Sequence, residues 1–259
     1  MYSSYQTLFF GKHLHSFDQI DSTNNYAQQL LIREKPPEGT AIVAKYQTAG
    51  RGQRGNVWQS KAGQNIAISF VLYPQFITAN HQFYFNQAIA FGVYEFAKEV
   101  LGEGVKIKWP NDIYYKKSKL GGILIENSIM GNHLNTAIVG IGINVNQTTF
   151  ETHLPNPISM QQVTGKNYEI KNLIKKLCYY LEVQYLQLKT AKLTSITQQY
   201  HEVLYQKKEW HTYKDLETGQ VFKGKIEGVT PFGKLILQTQ TANGIMQKKV
   251  FAFKEVAYC

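Results

Sequence analysis

Apolar and polar positions along this chain repeat with two different periods, and each change of period marks an element. Residues 13–17 read as a short strand. From Asp21 the period becomes helical, with Tyr26, Ala27, Leu30 and Leu31 on one stripe as far as about Glu34. Asp21-Ser22-Thr23-Asn24 supplies four residues of the helix-capping type, and Pro36-Pro37 ends the segment. Residues 40–45 form a strand whose apolar run predicts burial on both faces. A Gly-rich loop at 47–58 follows, then a strand at 65–73 and a long helix at 82–101 that stops at Gly102. Short strands are predicted at 105–109, 112–115 and 120–126, and a turn at 130–133 leads into a strand at 134–144. Two further helices cover 170–189 and 193–208. After Trp210 the texture changes to short β-runs at 221–229, 234–238 and 245–251, broken by Gly219 and Pro231-Phe232-Gly233. The larger part mixes long helices with hairpin-linked strands, which predicts an α+β fold with a mixed sheet rather than regular βαβ units. The boundary falls near 208, dividing the chain into 1–208 and 209–259.

The composition adds exclusions. With 43% hydrophobic and 13% aromatic residues over 259 positions, a sizeable core is affordable and wholesale disorder is not expected. No charged region followed by an apolar stretch opens the chain, and no apolar run reaches the roughly 18 residues that a membrane helix needs. The two cysteines, Cys178 and Cys259, do not suggest a disulfide framework or a thiolate metal site. These points predict a cytoplasmic protein. The net charge of +10 is carried mostly by dispersed lysine. The three arginines are Arg33, Arg51 and Arg54, and two of them share one loop.

That loop, Gln47 to Trp58, contains the spacing G-x-G-x-x-G. A dinucleotide site would need a helix beginning at the loop and an acidic residue about 20 positions later. The following segment is strand-like instead, and no Asp or Glu occurs from Gly39 to Tyr94. Glycines that expose backbone N–H groups, together with Arg forks, suit a phosphate. Downstream, Lys106-Ile107-Lys108-Trp109-Pro110-Asn111-Asp112 precedes Lys119-Leu120-Gly121-Gly122. A hairpin between Asp112 and Lys119 would bring a carboxylate and an ammonium group together. The bland alternative is an ordinary turn with solvated lysines.

Taken together, Asp21–Asn24, Gln47–Trp58, Lys108–Asp112, Lys119–Glu126 and Gly140-Ile141-Gly142-Ile143-Asn144 resemble, in order and spacing, the motifs of biotin–protein ligases. The resemblance covers residues 15–165 and, more loosely, the C-terminal β-module. It implies a catalytic domain like that of class II aminoacyl-tRNA synthetases, followed by a small β-barrel of the Src-homology-3 type. It implies activation of biotin by ATP to biotinyl-5′-AMP, then transfer to a lysine of a biotin carboxyl carrier protein. By the same resemblance, Lys119, Arg51, Asp112 and Lys108 are the catalytic residues. Ser22, Thr23, Asn24, Gln47, Arg51, Gly52, Gln53, Lys119 and Gly122 bind biotin. Arg51, Gln53, Arg54, Trp58, Lys108, Asn111 and Asn144 bind ATP, and Asp112 helps to hold Mg²⁺ on the phosphates.

Two departures from the pattern matter. Where many family members carry Arg, this chain has Gln53, which keeps a hydrogen-bond donor but loses a charge. Asn56 likewise stands where a further basic residue is frequent. Looser retention of the intermediate is the expected consequence, and Gln53→Arg should slow release of biotinyl-AMP; equal release rates would refute this. Only about 20 residues precede Asp21, so no DNA-binding helix-turn-helix is expected, and a homodimer is one allowed assembly. Of the rival readings, a lipoate–protein ligase would carry an Arg-Arg-x-Ser-Gly-Gly loop, which is absent. A basic nucleic-acid-binding protein would cluster its charge or show an aromatic–basic motif, and this chain does neither.

Overall fold

The computed structural model describes residues 5–207, 209–240 and 244–259, and the Arg54 side chain lies outside that description. So does Lys208, where the expected domain boundary falls. The elements are β1 (Leu14–Ile20), α1 (Thr23–Arg33), β2 (Thr40–Gln47), β3 (Ile66–Leu72), α2 (Gln82–Leu101), β4 (Val105–Lys108), β5 (Asp112–Tyr115), β6 (Ser118–Met130), β7 (His133–Ile143), α3 (Met160–Thr164), α4 (Ile170–Lys189) and α5 (Leu193–Glu202), followed by β8 (His211–Asp215), β9 (Val221–Val229), β10 (Leu235–Gln240), β11 (Met246–Phe251) and β12 (Val256–Tyr258). Seven strands form one sheet in the order β1-β2-β3-β7-β6-β5-β4, with β1 parallel to β2 and the other pairs antiparallel. The remaining five form an antiparallel sheet in the order β11-β10-β9-β8-β12. The α+β class and the mixed sheet are as the sequence predicts. Three short elements are additions: α3, announced by a Ser159–Gln162 capping box, and the strands β8 and β12. The last helix is shorter than expected, ending at Glu202.

Strand alternation sorts the two faces of the large sheet. On β3, Ile66, Ile68, Phe70 and Leu72 join the main core under α2 and α4, while Val71 packs with Ala27 of α1 on the other side. The two helices of that core layer touch closely: a Cβ on Gly92 of α2 would lie 3.1 Å from the Tyr180 carbonyl oxygen of α4. The opposite face is only partly covered by α1, which packs with Ala27 on Ile42, Val71 and Ile138. Beyond α1 the sheet face is open, and the cleft lies there. Among the described residues, no helix is long and apolar enough to cross a membrane.

Candidate functional site

The floor of the cleft is a set of cross-strand rows. Antiparallel register aligns Lys108 with Asp112, Asp112 with Gly122, Gly122 with Gly142, and Gly142 with Ala67. The next row aligns Leu124, Gly140 and Ser69. Three glycines stand in these rows, and at two of them other groups lie directly on the sheet. A Cβ on Gly142 would fall 2.4 Å from the Trp58 indole, and one on Gly140 would fall 2.2 Å from Asn24 Oδ1. The cleft has a volume of about 410 Å³, within the usual range for a small-molecule site.

The Lys119 ammonium lies 2.8 Å from Asp112 Oδ1, the juxtaposition expected from the hairpin. A regular strand would put Lys119 and Gly122, three residues apart, on opposite faces. Here the β5–β6 register slips by one residue: Ile113 opposes Gly121, but Tyr114 opposes Lys119. This β-bulge at Leu120 turns Lys119 onto the face of Asp112 and Gly122. The Lys119 backbone is held in place by Asn156 and Ile158, whose carbonyl and N–H pair with it at 2.7 and 2.9 Å. Asn144 donates its amide to the Ile158 carbonyl at 3.1 Å, so it braces this segment and is not among the cleft-lining residues. Asn111 lines the cleft and ties its turn to β6, donating to the Ile123 carbonyl at 2.6 Å. Lys108 is half-buried, and its amino group donates to the Tyr114 hydroxyl at 3.1 Å. Burial, with the charge of Lys119 adding, lowers its pKa from the usual lysine value against the opposing pull of Asp112. Burial pushes the Tyr114 phenol up to about 12, so it stays a neutral acceptor for Lys108.

At the other end, α1 begins without a conventional cap. Ser22 occupies the N-cap position, yet its side chain makes no capping bond. The Thr23 N–H instead donates to Gln47 Oε1 from the end of β2 at 2.8 Å, and the Thr23 hydroxyl does so at 3.0 Å. The Ser22 hydroxyl is therefore spared, in a residue that lines the cleft. Ser69 lies between Thr23 Oγ1 and Asn24 Oδ1, at 2.7 and 2.6 Å, and Asn24 donates to Glu126 at 2.7 Å. The buried polar groups at this end thus form one connected network.

The loop closes over the top as a narrow hairpin. Trp58 N–H pairs with Gly50 O at 2.9 Å, and Gly52 N–H with Asn56 O at 2.7 Å. At Gly50, a Cβ would come 2.3 Å from the Trp58 carbonyl oxygen. Arg51 does not point at the cation row. Its guanidinium grips Glu126 with two bonds, 2.7 and 3.1 Å, and also reaches Asn25 at 3.0 Å. Among the described residues, Gln53 Oε1 and Trp58 Nε1 are buried without a partner. Each is a polar atom available to a ligand.

Several contributors had no role assigned from the sequence: Ser69, Glu126 at the end of its motif, and the wall formed by Leu216, Phe253 and Lys254 in turns of the second sheet with Tyr258 of β12. That sheet is latched on by Trp109, whose indole donates to the Gly233 carbonyl at 2.9 Å and meets Phe253 edge-on at 6.2 Å. Lys254 has φ +70, a left-handed conformation unusual for lysine. The short β-runs pointed to a separate C-terminal β-module, but not to its place beside the cleft.

Residues 16–144 match the family model described as the Biotin/lipoate A/B protein ligase family. The bifunctional ligase/repressor BirA of Bacillus spizizenii is 32% identical over 259 residues, spanning 95% of this chain and 74% of that protein. The biotin–[acetyl-CoA-carboxylase] ligase of Paracoccus denitrificans is 36% identical over 154 residues, spanning 57% of this chain and 62% of that one. A solved structure, the biotin protein ligase from Aquifex aeolicus in complex with biotin and ATP, superposes with a TM-score of 0.76 at 25% identity, covering 95% of this chain and 98% of that one.

Proposed function

Because this chain belongs to the biotin/lipoate A/B protein ligase family, we propose that it is a biotin–protein ligase that forms biotinyl-5′-AMP from biotin and ATP, then biotinylates a lysine of the carboxyl carrier domain of a biotin-dependent carboxylase. The observation that carries this reading is the glycine-floored row in which the Lys119 ammonium lies 2.8 Å from Asp112, with Lys108 in register beside them.

Joining a carboxylate to a polyphosphate brings like charges together, and fixed cations offset that repulsion in the transition state. Lys119 serves the carboxylate and the α-phosphate, and Lys108 the phosphate side. The Ser22, Thr23, Asn24 and Gln47 end takes the ureido ring, which needs donors at its carbonyl and acceptors at two N–H groups. Gly52 and Gln53 cover the ring from the loop, and Gly122 leaves room beneath it. Arg51 must leave Glu126 to reach a phosphate, so loop closure and catalysis are coupled. Gln53 Oε1 and Trp58 Nε1 supply the free acceptor and donor for the nucleotide or the acyl group, and Arg54 adds charge to the same loop. Asn111 and Asn144 contribute by bracing the turns that carry Asp112 and Lys119.

The family implies Mg²⁺. Among the described residues no group of three or more His, Cys, Asp or Glu gathers, so an all-protein cage does not fit. A cation carried by the triphosphate does fit, because Mg²⁺ usually takes only one or two carboxylates with phosphate oxygens. Asp112 would hold it, and the ion would offset charge on the departing pyrophosphate. Residues 1–208 are taken as the catalytic unit and 209–259 as a second domain that closes one side of the cleft.

The test is biotin-dependent exchange of pyrophosphate into ATP, run with biotin and lipoate in parallel, followed by label transfer to a purified carrier domain. Exchange with biotin and transfer to the carrier lysine are expected. Exchange with lipoate alone, or none with either, would overturn the reading.

A further inference from the structure

Among the described residues of the cleft, Lys108 is the cation set against aromatic faces. Its Nζ lies 4.8 Å from the ring centroid of Tyr114 and 4.7 Å from that of Tyr258. Tyr114 comes from β5, the neighbouring strand of the same sheet. Tyr258 comes from β12, in the other sheet, and is itself held in place. It pairs in register with Tyr213 of β8, whose ring lies 5.4 Å away at 58°, and Tyr205 lies 6.2 Å from it. The Tyr258 hydroxyl is buried with no partner among the described residues, and it is the ring that meets Lys108.

A lysine is a point charge on a flexible four-carbon stem, and it gains precision only if something fixes that stem. The strand pairing of Lys108 fixes its Cα; the Tyr114 hydroxyl on one side and the Tyr258 ring on the other fix its amino group. A ring face attracts an ammonium group electrostatically, and a half-buried site strengthens that attraction. Resting on the reading of Lys108 as a phosphate-side cation, we propose that Tyr258 is a positioning residue: the second sheet places an aromatic face that holds the Lys108 ammonium where the ATP phosphates bind.

This separates Tyr258 from a merely structural tyrosine. Its effect passes through Lys108, depends on the ring and not on the hydroxyl, and falls on ATP more than on biotin. In the full chain, Tyr258→Leu should raise the KM for ATP or lower kcat by roughly 10-fold, the scale of a partly desolvated cation–π contact, with the KM for biotin little changed. Tyr258→Phe should restore most of the loss. In a Lys108→Ala background, Tyr258→Leu should cost nothing further, because the group it positions is gone.

A readout independent of activity completes the experiment. The Lys108 ε-CH₂ resonances, shifted by the two ring currents, should move on Tyr258→Leu and stay near their original place on Tyr258→Phe. If Leu disturbs folding, as a thermal melt would reveal, Tyr258→Met takes its place with the same expectations. An unmoved Lys108 resonance overturns the proposal. So does equal loss in the Phe and Leu variants, or a full further loss in the Lys108→Ala background. Wild-type protein without biotin-dependent exchange would instead refute the biotin-ligase reading, and the resonance measurement would still decide the place of Tyr258.

Discussion

The seven-stranded sheet builds the cleft floor from residues that are close in sequence or paired in register. The five-stranded sheet builds one wall from residues brought in over long distances. Lys108, Asp112, Lys119 and Gly122 occupy one short stretch of chain, and two tight turns suffice to align them. Trp109 and Gly233 are 124 positions apart, and Tyr258 meets Lys108 only because β12 pairs with β8 beside the cleft. The difference is one of role. The floor carries charge that must face a polyphosphate, so its chemistry is written in residue types. The wall carries packing and orientation, for which a ring face in the right place matters more than charge. Loss of the floor should therefore abolish chemistry while sparing the fold, and loss of the wall should weaken binding by smaller factors.

The largest expected effect is that of Lys119→Ala. Removing one preorganised charge from the reacting centre costs on the order of 100- to 1,000-fold in rate. Biotin-dependent pyrophosphate exchange should fall by that factor with the thermal midpoint almost unchanged. Near-normal exchange would move the chemistry away from the floor.

Gly142→Ala comes next. Its Cβ would intrude to 2.4 Å from the indole of Trp58, so the loop must lift. An effect of roughly 10- to 100-fold on kcat/KM for ATP is expected, since small misplacements of catalytic groups cost about that much. A variant with wild-type kinetics would show that Trp58 does not rest on the sheet during turnover.

Trp109→Phe tests the latch. It removes the bond to the Gly233 carbonyl while keeping a ring near Phe253. A net loss of about 1 kcal/mol is expected, read as a lower thermal midpoint and a several-fold higher KM for ATP. An unchanged KM would make the wall dispensable for nucleotide binding.

The smallest effect concerns pH. The Val229 N–H donates to His201 Nε2 at 3.0 Å, tying α5 to β9. Burial, with Lys207 adding, holds the His201 pKa below the usual 6.5. A folded value depressed in this way means that the unfolded chain binds more protons between the two values, so stability rises with pH. The contribution is fully present above 6.5 and is lost as pH falls from there through the lower folded value. Melts from about pH 7.5 to about pH 5 should show a larger drop in the wild type than in His201→Asn, across the window where histidine titrates. Parallel curves would exclude His201 as the sensitive joint.

The sequence by itself determined the fold class, the main elements and the motif residues. Apolar periodicity encodes burial locally, and scarce residue types such as Arg51, Asp112 and Trp58 stand out against a lysine-rich background. It anticipated the meeting of Asp112 and Lys119 because a short hairpin leaves few alternatives. Tertiary structure decided the rest. A one-residue bulge at Leu120 chose the face to which Lys119 turns, a matter of register that periodicity does not carry. Arg51 found Glu126, 75 positions away, and Ser69 joined Thr23 and Asn24 only because β3 runs beneath α1. Tyr258 became part of the cleft through the docking of one sheet on the other. Contacts of that kind depend on the relative placement of packed layers, and packing is satisfied by shape and volume rather than by a readable motif.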